Sequence, residues 1–318
     1  MRVGLMRLST QLQLFLFHVS LGALICYPQT EMSTSLKTLK PDPVPTVKKD
    51  VQEVALIVSV TDHRKHFVRN LTSTDFTIRD NDLPPERITY FQAQTRLPLE
   101  LALVIDSSDS VRYSFDLEKN AATEFLRNVM RSETDLALVI GFNAQARMIQ
   151  EPTQNRDLLS RAIKKLPAGG YTAVYDAVAL ASKELAVIKT SQLSRRIIIL
   201  ITDGEDNSSR ITLQDAAEIA QNNGTIVYVL NSSIDFLRSK EAEQAMKQLA
   251  EMTGGQYLRT DSEDRIGAAF SRLEGLLRSQ YAIGYKPPHT RADGSYHRIF
   301  VLGPNRLLIH YRQGYFAR

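Results

Sequence analysis

The chain has 318 residues, 43% of them hydrophobic and 23% charged. That is length for about two domains and an ordinary globular balance, which excludes wholesale disorder and a collagen-like chain. A formal net charge of +4, with no basic stripe interleaved with aromatics, argues against a nucleic-acid partner, and a single cysteine, Cys26, excludes a disulfide scaffold.

Arg2 and Arg7 precede an apolar run over residues 12–26, broken only by Gln13, His18, Ser20 and Gly22. A positive start followed by a short apolar run reads as a secretory signal peptide over residues 1–26. The expectation is an exported protein, secreted, periplasmic or held in the cell envelope. The run is short and interrupted for a membrane span, which needs about 20 apolar residues; the membrane enters only if this segment stays uncleaved. Ala23-Leu24-Ile25 before Cys26 does not resemble a lipoprotein box, and cleavage after Cys26 leaves a chain without a thiol. Residues 27–50, polar and carrying Pro41, Pro43 and Pro45, read as an extended linker.

Residues 51–96 read as the first half of a β-module. Residues 54–60 form a β-branched strand, 76–79 alternate as a half-exposed strand does, Asp80-Asn81-Asp82 turns the chain, and a third strand lies near 87–91. Asp80 and Asp82 read as a solvated turn rather than a Ca²⁺ site, and His63 and His66 as solvated loop residues.

Residues 97–279 alternate strands with helices, the signature of a doubly wound, mostly parallel α/β sheet. The expected strands are 101–106, 135–142, 196–202, 225–231 and 257–259. The expected helices cover 156–166, 173–188, 213–222, 241–252 and 266–277, preceded by one whose buried face is Leu117, Ala121, Phe125 and Val129. In the second helix Leu158, Leu159, Ile163 and Leu166 face inward. Residues 280–318 return to strands at 281–285, 297–301 and 307–311. Neither flanking β segment has enough strands for independent stability. The expectation is therefore one β-sandwich built from both, with the α/β domain inserted between its halves.

Three stretches within the α/β domain carry the chemistry. Leu101-Ala102-Leu103-Val104-Ile105 is an apolar run that ends in Asp106-Ser107-Ser108-Asp109-Ser110, with oxygens at alternate positions. Gly169-Gly170-Tyr171-Thr172 is a glycine-rich turn entering a helix, and Ile197-Ile198-Ile199-Leu200-Ile201-Thr202-Asp203 is a second apolar strand ending in a carboxylate. Parallel sheets set their functional groups beyond the carboxyl ends of their strands, and hard oxygens suit a hard cation. Asp109, Glu205 and Asp206 add negative charge nearby; alternation points Asp109 away, and the other two read as a solvated acidic turn.

These three stretches resemble the von Willebrand factor A domain and its metal-ion-dependent adhesion site (MIDAS). The resemblance implies Asp106, Ser108, Ser110, Thr172 and Asp203 as metal ligands. It implies Mg²⁺, or Mn²⁺ or Ca²⁺, with one coordination position left for the Asp or Glu carboxylate of a protein or surface partner, as in cell adhesion. The flanks, through Leu71-Thr72-x-x-Asp75-Phe76, the Asp-Asn-Asp turn and the ending Arg312-Gln313-Gly314-Tyr315, resemble the VWFA-related Acidobacterial domain family. Two other readings stand beside this one. A metal-independent envelope scaffold uses the same residues as caps and turns. A serine hydrolase needs a base, yet none of the six histidines lies in the α/β stretch and no nucleophile elbow, Walker loop or H-E-x-x-H is present. The expectation is a non-enzymatic binding protein. Asn70, Asn207 and Asn231 sit in N-x-S/T sequons, which matter only in a glycosylating host.

Overall fold

The computed structural model describes residues 53–93, 97–112, 114–131, 133–189, 194–232, 239–260 and 263–317. The expected signal segment, Cys26 and the proline-rich stretch expected as a linker lie outside the described residues.

Thirteen strands and six α-helices are described. The central sheet runs in the order β6-β5-β4-β7-β8-β9, formed by β4 (Leu99–Asp106), β5 (Leu136–Phe142), β6 (Ala146–Thr153), β7 (Arg195–Thr202), β8 (Thr225–Asn231) and β9 (Tyr257–Arg259). All its neighbours pair in parallel except β6, which closes one edge antiparallel to β5. Every residue of β4 and β8 is buried, which is why their sequences are apolar runs and not alternations. The pleat then sorts side chains between two layers. Leu101, Leu103 and Ile105 pack with α1 (Phe115–Val129), α2 (Arg156–Lys164) and α6 (Glu263–Leu277). Ala102 and Val104 pack with α3 (Val174–Val187), α4 (Leu213–Asn222) and α5 (Lys240–Thr253). This is the doubly wound α/β architecture expected.

Around it, the terminal segments form two antiparallel sheets. One runs β12-β1-β10-β3 and the other β13-β11-β2, with β1 (Val54–Thr61), β2 (Thr77–Asp80), β3 (Arg87–Gln92), β10 (Tyr281–Lys286), β11 (Tyr296–Leu302), β12 (Leu308–His310) and β13 (Gly314–Phe316). Each early strand pairs with a late one: β1 with β10 and β12, β3 with β10, β2 with β11. Val54, Leu56, Val58, Ile78, Ile283, Ile299, Val301 and Tyr315 share one apolar core. The expected sandwich from two chain ends is thus the observed pairing.

Several expectations need correction. The inward face of α1 is Phe115, Ala122, Phe125, Leu126 and Val129, while Leu117 is 41% exposed. A strict four-residue step drifts by about 40° per step around a helix of 3.6 residues per turn, so alternate three- and four-residue steps hold a true stripe. Leu158 is exposed because it lies about 100° around the helix from its neighbour Leu159, while Leu159, Ile163 and Leu166 are buried. Strands β6 and β13 were not anticipated. Asp80 is not a solvated turn residue: it is 0% exposed. It accepts hydrogen bonds from the Tyr285 and Tyr315 hydroxyls at 2.9 and 2.8 Å, and His297 Nδ1 lies 2.9 Å from its other oxygen. Asn231, in a sequon, is buried and donates to the Asp203 carbonyl. No helix among the described residues is long and apolar enough to cross a membrane.

Candidate metal centre

The carboxyl ends of β4 and β7 lie side by side in the sheet, so Asp106 and Asp203 emerge from neighbouring strands. Both are buried. Asp106 Oδ1 accepts from the Ser108 amide at 2.9 Å, which bends the chain into the following turn, and Oδ2 accepts from the Thr202 hydroxyl at 2.7 Å. A tight 3₁₀ turn, Asp109–Val111, follows. It brings the Ser108 and Ser110 hydroxyls within 2.9 Å of each other, with Ser108 buried and Ser110 at the exposed lip.

Thr172 lies on a separate loop that the structure ties to both others. Gly169 and Gly170 adopt φ of 138° and 103°, a region that side chains strain against. In that shape the Gly169 amide donates to the Ser107 carbonyl. The Asp109 amide donates to the Gly170 carbonyl, and the Asp109 side chain accepts from the Gly170 amide at 3.1 Å. Asp109 also pairs with Arg112 at 2.7 Å, so it braces the loops from the outside, as alternation suggested. On the other flank Asn207 Oδ1 accepts from the Thr172 amide at 2.8 Å, and the Thr172 carbonyl accepts from the Asn207 and Ser208 amides. The Thr172 side chain is 3% exposed, while Tyr171 beside it is 70% exposed at the rim.

Sequence reasoning missed the loop after Asp203. Asp206 is not a solvated acidic residue. Helix α3 has no side-chain acceptor of its own at Ala173, and Asp206 Oδ1 takes the Val174 amide at 2.7 Å while Ser209 Oγ takes those of Tyr175 and Asp176. The loop caps the helix from across the site, satisfying donors that otherwise stay open at a helix start. Its signal in the sequence was the spacing Asp206-x-x-Ser209, which a local reading assigns to a turn. Glu205 does face solvent. Also missed was Glu118, a fully buried carboxylate on α1 that accepts from Ser114 Oγ at 2.5 Å.

The electrostatics follow from this crowding. Burial, reinforced by the neighbouring charge of Asp203, pushes the Asp106 carboxyl up to about 6 against the hydrogen bonds of Thr202 and Ser108. Burial likewise pushes Glu118 up to about 7, with Asp106 and Asp203 adding to it. Two buried carboxylates that feel each other's charge, with only neutral groups hydrogen-bonded to Asp106, form a locus of negative potential beside the Ser108 and Ser110 hydroxyls. That donor set fits a hard cation. No cluster of three or more His, Cys, Asp or Glu in metal-binding proximity occurs among the described residues. The five described histidines belong to the sandwich segments, away from Ser108 and Ser110.

Residues 101–205 match the family model for the von Willebrand factor type A domain. An uncharacterised protein of Synechocystis sp. is 35% identical over 114 residues, 35% of this chain and 26% of that protein. The magnesium-chelatase 67 kDa subunit of Chlorobaculum parvum is 23% identical over 189 residues, 53% of this chain and 30% of that subunit. The chain therefore spans under a third of the length of either relative. Among solved structures, a von Willebrand factor type A protein from Catenulispora acidiphila superposes with a TM-score of 0.50 at 12% identity, covering 86% of this chain and 74% of that one. The matched stretch runs from Leu101 in β4 to Glu205, just past Asp203, and with the strand order above it gives the α/β portion of this chain a von Willebrand factor type A-like fold.

Proposed function

We propose that this chain is an exported binding protein that holds a divalent cation at the carboxyl ends of β4 and β7 and uses it to engage an acidic group on a protein or surface partner. The observation that carries the reading is the pairing of buried Asp106 with Asp203 beneath the hydroxyls of Ser108 and Ser110. Such a pair is costly alone and favourable around a cation.

Asp106, Ser108, Ser110, Thr172 and Asp203 would hold the ion, Mg²⁺ by preference and Mn²⁺ or Ca²⁺ as substitutes. Bound there, the ion supplies a Lewis-acidic point contact for a partner carboxylate. The chain's own residues do the rest. Hydroxyls contribute oxygens without adding charge, so the centre keeps a net pull on an anion. The two glycines hold the Thr172 loop against the first turn, and exposed Tyr171 offers the partner an aromatic contact beside the centre. Export rests on the signal-like residues 1–26.

The test is a melting series in chelator and in Mg²⁺. A cation a hundredfold above its dissociation constant raises stability by about 2.7 kcal/mol. Asp106→Asn, which keeps an oxygen acceptor for the Ser108 amide, is expected to fold in chelator and show no Mg²⁺ response. It is also expected to lose capture of partners from the native cell envelope. If Mg²⁺ leaves the wild-type melting temperature unchanged, or if capture persists in chelator, the proposal fails and a metal-independent scaffold takes its place.

A further inference from the structure

At the opposite end of the sheet, roughly 20 Å away along β7, a cleft of about 440 Å³ opens between the sandwich and the α/β domain. Four cationic side chains line it: Lys189, Arg195, Arg196 and Arg312, with no carboxylate among its described lining residues. Among the described residues only Arg196 of the four is ion-paired, to Glu100 at 3.1 Å.

The other cations meet neutral groups. Arg195, 4% exposed, donates to the Leu277 and Leu97 carbonyls and to the Gln280 side-chain oxygen. Arg312 donates to the Ala55 carbonyl at 2.9 Å and lies over the Tyr315 ring. Lys189 is exposed. Nε of Arg195, Nε of Arg312 and the Tyr90 hydroxyl are all buried without a hydrogen-bond partner, and all three residues line this one cleft. Burial draws the Arg195 guanidinium down to about 10, and Asp135, a carboxylate that acts on it, is already paired with Arg131. Buried cations normally have counter-charges and buried donors acceptors; here Arg195 and Arg312 have no carboxylate partner among the described residues, and the Nε of each lacks an acceptor.

We propose that this cleft is a second ligand site, for a small organic oxyanion: a carboxylate or phosphate group on an apolar body. The oxyanion would sit between Arg312 and Tyr90 of the sandwich and Arg195 and Lys189 of the α/β domain. Guanidinium groups suit carboxylate and phosphate because their planar fork matches paired oxygens. Ile57, Leu97 and Ile226 on the walls accommodate the apolar part, and the volume is that of a small-molecule site rather than a groove for a folded partner. Occupied, the site ties the sandwich to the base of the sheet, independently of the metal centre.

The test uses the full chain in chelator, so that the metal centre takes no part. Phenyl phosphate, benzoate and inorganic phosphate are titrated calorimetrically at constant ionic strength, with benzyl alcohol as the neutral control. Saturable one-to-one binding of phenyl phosphate or benzoate is expected, tighter than inorganic phosphate, and the stronger of the two identifies the head group. Arg312→Gln is expected to weaken it about tenfold. Lys189→Ala, at an exposed position that leaves folding intact, is expected to weaken it severalfold. Absence of saturable binding by all three anions, equal binding of benzyl alcohol, or a dissociation constant unmoved by Lys189→Ala overturns the proposal.

Discussion

Glu118 shows how a single side chain registers the charges of the loops at the ends of β4 and β7 without belonging to them. It is fully buried, bonded to Ser114, and feels the charges of Asp106 and Asp203. Its carboxyl is raised from 4.5 to about 7, with burial the largest cause. A carboxyl whose folded value lies above its unfolded value contributes stability that is complete below the unfolded value and lost as pH rises through the folded one. In chelator, wild-type stability is therefore expected to fall as pH climbs from about 4.5 through about 7. The total from this group is at most about 3 kcal/mol. Glu118→Gln, which carries no charge to bury, is expected to flatten that part of the profile and to melt higher than wild type at pH 8. Denaturant melts of both proteins across that window provide the check, and parallel profiles would sink the assignment.

At the level of elements, the close approach of α5, β8 and β9 sets the sharpest packing constraint. Gly254 ends α5 at φ +85°, and Gly255 follows with its α-carbon so near β8 that a Cβ would lie 2.0 Å from the Val227 carbonyl oxygen. Backbone cannot swing aside as a side-chain tip can, so Gly255→Ala must part β8 from the start of β9. It is expected to cost about 3 kcal/mol or more, at the upper end for overpacking. Gly141→Ala meets only side chains, the Leu166 methyl at 2.4 Å and Ile149 at 3.3 Å, and is expected to cost about 1–2 kcal/mol. Comparative urea melts decide the order. How much of this was legible beforehand depended on how local each signal was. The strands β4, β7 and β8 and the site turns could be read directly, because a doubly buried strand must be apolar throughout and its functional oxygens follow it at once. Strand β6 escaped notice because its alternation is half exposed and its pairing with β5 is twice shifted in register. Asp206 escaped because the amide it caps belongs to a helix 32 residues earlier.

Over the whole molecule, the same limit explains Asp80, whose partners Tyr285, His297 and Tyr315 lie more than 200 residues further on. In the sequence it is one acid in an Asp-Asn-Asp turn; in the fold it joins the two chain ends. Cutting its bonds leaves two tyrosine hydroxyls and a histidine nitrogen buried without it, so Asp80→Ala is expected to destabilise the sandwich by about 3–5 kcal/mol. The larger experiment removes residues 280–318. Strand β1 then loses both neighbours, β3 loses β10, and β2 loses β11, leaving strands too few and too bare to hold together. No strand of the six-stranded sheet comes from the tail, and its two apolar layers are complete without it. Hydrogen exchange on the shortened chain is therefore expected to show open amides over β1, β2 and β3 and slow ones over β4, β7 and β8. Slow exchange persisting in β1 would mean that the amino-terminal strands hold their shape unaided. Fast exchange spreading to β4 would mean that the α/β domain depends on the sandwich that surrounds it in the chain.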